Sequence, residues 1–181
     1  MPIRKRLQPI FLCALVACND PAGPLQCGGV ITAVPTEAAP HVAQGSAIVW
    51  STNPPAIGKH YPTWAPWARA FATPVPRGNY VHNLEHGGVV LLYRATETTL
   101  VQNLSDFGES LAQDALCSGA INARWILTPD PLLPAAVSVA AVTWGFTYMA
   151  SCFDESTLRA FVSDHYAKGA EQTCAQGAIS W

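Results

Sequence analysis

The chain has 181 residues, of which half are hydrophobic and 12% charged, with twelve acidic residues against ten basic. Arg4, Lys5 and Arg6 fall in an N-terminal leader, so the remainder holds seven basic and twelve acidic residues, a formal charge of −5 with the histidines neutral. That balance excludes a nucleic-acid partner, which needs a basic face, and the length suits one domain around one core.

The leader has the charged n-region and short apolar h-region of an export signal. Its apolar stretch, from Pro9 to Ala17, is too short to cross a bilayer core of about 30 Å as a helix. It ends Leu15, Val16, Ala17, Cys18, which resembles the lipobox of bacterial lipoproteins. The resemblance implies cleavage before Cys18 and acylation of that cysteine, and acyl chains at about 0.8 kcal/mol per buried CH₂ hold a protein on a membrane. The expected organisation is a signal peptide over 1–17, a lipidated Cys18 with a tether over 18–45, and a globular domain over 46–181. The expected location is the periplasmic or cell-surface face of a bacterial membrane, and the membrane is the one partner the sequence names.

In the tether, Pro, Ala, Gly and Thr recur without helical or strand periodicity, and His41 reads as a solvated residue. Ala47 to Trp50 is an apolar run expected to be the first strand. It opens into residues 53–76, whose six prolines forbid a continuous helix. Tyr61, Trp64 and Trp67 in this loop offer a stacking surface to a ligand or partner. Gly88 to Arg94 is a β-rich apolar run and the clearest strand.

Leu100, Leu104, Phe107, Leu111 and Ala115 then repeat at helical spacing and predict a helix over 97–116, bent at Gly108. Ala123 to Leu127 and Val137 to Trp144 read as strands about a Pro-rich turn. Asp154 is placed to cap a last helix, with Phe153 and Leu158 forming a hydrophobic staple, and that helix stops before Gly169. The fold class expected is α+β, a single domain with a small mixed sheet covered by two helices and a long Pro/Trp-rich loop. Cys27, Cys117, Cys152 and Cys174 form an even set suited to two disulfides, in any of three pairings.

Four histidines sit in the most distinctive segments. His82 and His86 are four residues apart, which places them on one side of either a helix or a strand. With Glu85 they spell H-x-x-E-H, the pattern of inverted zinc peptidases. That motif needs a helix, and Gly87 and Gly88 before a β-rich run leave little room for one, so a hydrolase is the third-ranked reading. Gly58 to His60 with Pro62, Ala65 to Trp67, Pro74 to Pro76, Val81 to Gly88 as VHNLEHGG, Trp144 with Gly145, and His165 with Lys168, Gly169 and Glu171 together resemble the bacterial domain-of-unknown-function family 3105. Lys59, Ala68 and Ala170 depart from it, where proline, glycine and proline are expected. The resemblance names no activity. It does place His60, His82, Glu85, His86 and His165 on the family's motif positions.

Neutral imidazoles from separate segments suit copper or zinc in an exported protein. The leading expectation is therefore an ion held by His60, His82, His86 and His165, with Glu85 or Asn83 orienting a ligand from behind. The alternative is a non-catalytic binding module in which the histidines are structural and the Pro/Trp loop is the working surface.

Overall fold

The computed structural model describes residues 27–94 and 97–179. The run VVLLY becomes a strand, Val89–Tyr93, with every side chain buried, as expected of a strand covered on both faces. Numbered in chain order, the strands are β1 (Val30–Ala33), β2 (Arg69–Ala70), β3 (Val89–Tyr93), β4 (Trp125–Pro129), β5 (Val139–Thr143) and β6 (Phe146–Ala150). They form one mixed sheet in the order β1-β6-β5-β3-β4-β2. β3 pairs in parallel with β4 and antiparallel with β5, β4 pairs in parallel with β2, and the β1, β6, β5 side is antiparallel throughout. The helices are α1 (Arg77–Glu85), α2 (Thr98–Glu109) and α3 (Glu155–His165).

Alternation along the strands divides the core into two layers. Val89, Leu91, Trp125, Leu127, Val139 and Ala141 face α2 and α3, meeting Leu104, Phe107, Leu158 and Phe161. Val90, Leu92, Ile126, Ala140 and Val142 face the other way, onto Tyr80, Val81 and Leu84 of α1 and onto Trp67, Phe71 and Val75 of the Pro/Trp loop. The α+β expectation holds, with helices on both faces of the sheet rather than two helices alone.

Several local expectations change. Residues 27–45 are part of the fold: β1 pairs with β6, and Cys27 is bonded to Cys152. Ala47 to Trp50 is not a strand and joins none of the six in the sheet, and Val49 is 93% exposed. The helix predicted over 97–116 stops at Glu109, where the Asn122 amide takes the carbonyls of Gly108, Glu109 and Leu111. Gly108 is the penultimate residue of the helix and not a point within a longer one. It admits Trp125, whose ring would lie 2.5 Å from a Cβ at that position. The strand expected over 137–144 is β5 of a hairpin with β6, turned at Trp144 and Gly145, where Gly145 has φ +80°. The last helix begins as read, with the Asp154 carboxylate accepting from the Ser156 and Thr157 amides.

The cysteines pair as Cys27 with Cys152 and Cys117 with Cys174. Both bridges suit an oxidising compartment. No helix among the described residues is long and apolar enough to cross a membrane. The leader, with Cys18, lies outside the described residues.

Candidate metal centre

The segment that carries His82 and Glu85 is a helix, α1. Gly87 and Gly88 argue against a helix in the sequence, yet here they end one. Gly87 sits at φ +81°, its N–H bonds to the Leu84 carbonyl and the Gly88 N–H bonds to that of Asn83. These are the two hydrogen bonds of a Schellman stop. A Cβ on Gly88 would lie 2.5 Å from the Trp67 ring, so the same pair of glycines both stops the helix and seats the loop.

All but the first residue of α1 is buried, although three of those residues are polar on one face. Positions 79, 82, 83 and 86 follow helical spacing, and each of the first three holds a piece of loop. The Asn83 amide grips both backbone groups of Ala65, at 3.0 and 2.9 Å. The Asn79 amide donates to the Thr63 carbonyl and pairs with the Gln44 amide. His82 Nδ1 lies 2.7 Å from the Tyr61 carbonyl. Asn83, expected behind a metal ligand, is instead a clamp on the loop.

The anchored loop delivers His60, and residues 40–42 deliver His41. The two histidines form a short parallel bridge in which Val42 N–H donates to the His60 carbonyl and His60 N–H to that of Pro40. Three imidazoles therefore converge, with ring centroids 4.7 to 4.9 Å apart. Glu85, one turn along α1 from His82, completes the group. Its Oε2 lies 2.9 Å from His60 Nε2, 3.7 Å from His41 Nε2 and 3.9 Å from His82 Nε2.

The hydrogen bonds fix which nitrogens face inward. A carbonyl oxygen only accepts, so His82 Nδ1, bonded to Tyr61, and His60 Nδ1, 2.9 Å from the Gly58 carbonyl, both carry hydrogen. In the neutral rings Nε2 then presents a lone pair. His60 Nε2 and Glu85 Oε2 are thus two acceptors 2.9 Å apart, and a proton or a cation has to lie between them. Burial pushes the His82 pKa down to about 4, against the Tyr61 carbonyl bond that raises it, which keeps that ring neutral near pH 7.

A second group adjoins the first. Glu85, His86 and Glu171 also bring ligand atoms within 4.8 Å of one another. His86 Nε2 is 3.2 Å from Glu171 Oε2, while His86 Nδ1 is buried without a hydrogen-bond partner. Burial pushes the His86 pKa down, opposed chiefly by the Glu171 charge. Glu171 arrives on a C-terminal strap: Ala167 N–H donates to the Gly87 carbonyl and Glu171 N–H to that of Glu85.

His60, His82, His86 and Glu85 are thus brought together, and His165 is not among them. It lies at the end of α3, stacked on Phe146 at 3.9 Å between centroids, and burial lowers its pKa. His41 and Glu171 take places the sequence did not foresee. Nothing in the spacing of His41 marks it, since only its bridge to His60 brings it in. The loop aromatics are committed internally: Tyr61 and Trp67 are buried, and the indoles of Trp64 and Trp67 both donate to the Ala175 carbonyl.

The sequence matches the model of a family described as "Protein of unknown function (DUF3105)" over residues 41–178. The chain belongs to this family. The span shared with DUF3105 opens at His41 and includes Glu171, so every group described above lies within the family domain. No curated protein and no solved structure matches the chain.

Proposed function

We propose that the protein is an extracytoplasmic metal-binding domain, lipid-anchored through Cys18, that holds a divalent zinc or copper ion on His41, His60, His82 and Glu85. The observation that carries this reading is the inward-facing set of acceptors, two of them locked by backbone carbonyls on the far side of the ring. Metal-bound histidines commonly donate their other N–H in this way, which orients the ring and fixes its tautomer.

The spacing supports it as well. A tetrahedral ion with bonds of about 2.0–2.1 Å sets its ligands roughly 3.3 Å apart, and the Glu85 oxygen lies 2.9 to 3.9 Å from the three nitrogens. Imidazole and carboxylate suit Zn(II) or Cu(II) better than the thiolate-loving Cu(I). Three of the four side chains are nearly buried, while that of His41 is 52% exposed, giving an ion a way in from solvent. That asymmetry favours carriage or sensing over a closed structural site. As a ligand, Glu85 fills a coordination position and does not stand off as a peptidase base. The loop-surface alternative loses ground because its indoles are occupied by the chain's own C-terminal segment.

The test is thermal melting of untagged wild type and His41→Ala, each with chelator and with excess Zn(II) or Cu(II), beside elemental analysis. An ion at a thousand times its Kd adds about 4 kcal/mol to the native state, which for a domain of this size raises the melting point by roughly ten degrees. His41→Ala removes a ligand from the surface, so the chelator-treated proteins should melt alike and the metal-induced rise should shrink. Equal rises in both proteins would end the assignment.

The anchor has its own check. Cys18→Ser should move the protein from the membrane fraction to the soluble fraction or the medium, with its melting curve unchanged. Full retention on the membrane removes the lipid from the proposal.

A further inference from the structure

The second group of ligands touches the first through Glu85, and this suggests more than a single ion. His41, His60 and His82 all approach the same carboxylate oxygen, Oε2. His86 and Glu171 also adjoin Glu85, and these three residues again bring ligand atoms within 4.8 Å of one another.

His86 is the buried member of the second group, and it faces Glu171 through Nε2, 3.2 Å from Oε2. Its side chain is only 4% exposed, yet Nδ1 has no hydrogen-bond partner. A buried polar atom left unsatisfied costs about 1–3 kcal/mol, and nearly every other buried side-chain polar atom among the described residues is satisfied, Tyr80 Oη and Thr143 Oγ1 being the two others that are not.

The strap is built to bring Glu171 there. Gly169 lies so close that a Cβ would sit 2.2 Å from the Glu85 carbonyl oxygen, and the backbone bonds on either side, from Ala167 and Glu171, fasten the strap across the end of α1. The Cys117–Cys174 bridge ties it down three residues further on. Glu171 is then held against His86 while 61% of its side chain remains exposed.

Resting on the metal-binding reading above, we propose that the centre takes two divalent ions bridged by the Glu85 carboxylate: an inner ion on His41, His60, His82 and Glu85, and an outer one on Glu85, His86 and Glu171. The outer ion has only three protein ligands and one of them is at the surface, so water or a small anion completes its shell. The inner ion, with four protein ligands, has less room for one. Carboxylate-bridged pairs of this kind lie about 3.5–4 Å apart, close enough for two Cu(II) ions to couple magnetically.

The experiment is metal stoichiometry on untagged full-length protein, stripped with chelator, reloaded with Cu(II), and desalted, followed by elemental analysis and electron paramagnetic resonance. Wild type should hold two copper ions per chain and show less spin than its copper content, because bridged ions couple. Glu171→Gln, a change at an exposed position that leaves the strap's backbone bonds in place, should hold one ion with its full signal. His86→Gln should do the same. One ion in wild type, or two in Glu171→Gln, overturns the second site and leaves the first intact. Two ions in wild type with undiminished signal overturn the bridge. No ion in wild type overturns both readings.

Discussion

Gly169 shows how much a single residue can decide. Its φ is not in the left-handed region, so its backbone is open to any residue, and the constraint is space alone: a Cβ would lie 2.2 Å from the Glu85 oxygen and 2.3 Å from the Gly87 nitrogen. Both are backbone atoms at the end of α1 and cannot swing aside as a side chain would. Gly169→Ala must therefore lift the strap and break the bonds from Ala167 and Glu171. Overpacking of this kind costs about 1–3 kcal/mol, so the urea midpoint should fall accordingly, and copper content should fall with it because Glu171 leaves His86. An unchanged midpoint would mean that the strap is not seated as described. Ala68 is the converse case. It holds φ +53° at the place where the resemblance leads one to expect glycine, so this chain tolerates a left-handed alanine where the loop turns into β2.

At the scale of elements, legibility followed the strength of the local signal. β3 and α3 were readable because VVLLY is uniformly apolar and because Asp154, Phe153 and Leu158 stand at capping and staple positions. α1 was not readable, since RGNYVHNLE is buried almost all round and carries only Tyr80, Val81 and Leu84 as an apolar face: the rest of its surface is held by Asn79, His82 and Asn83 bonding the loop, and those bonds are tertiary. Gly87 and Gly88 read in the sequence as the prelude to β3, and in the structure they are the stop of α1. The site divides along the same line. His82, Glu85 and His86 share one helix and could be found by spacing. His60 came from the family resemblance. His41 depended on a bridge between segments nineteen residues apart in sequence, for which the chain carries no local mark. His165 had helical spacing with Phe161 and Leu158 in its favour, and that same face stacks it on Phe146 and not on the other histidines.

For the whole molecule, the centre ties together parts that the sheet alone does not. The segment around His41, the Pro/Trp loop, α1 and the C-terminal strap meet at one group of imidazoles and carboxylates. A molecule that gathers neutral histidines in this way should be sensitive to acid even without metal. His82 has its pKa lowered to about 4 from an ordinary 6.5, and His86 and His165 are shifted in the same direction, each chiefly by burial. A group whose folded pKa is depressed binds its proton more readily in the unfolded chain. Between about pH 6.5 and 4 the unfolded state therefore takes up protons that the native state refuses, and stability falls as pH falls. At about 1.4 kcal/mol per pKa unit, His82 alone accounts for roughly 3 kcal/mol across that window, and below it the loss from this residue levels off. Urea midpoints of chelator-treated protein should thus drop steadily from pH 7 to pH 4.5. His82→Gln, which retains an amide to donate to the Tyr61 carbonyl, should start lower and show a shallower slope. A wild-type profile flat over this range would show that the native histidines take up protons as readily as the unfolded chain does, and the burial that depresses the His82 pKa would be refuted.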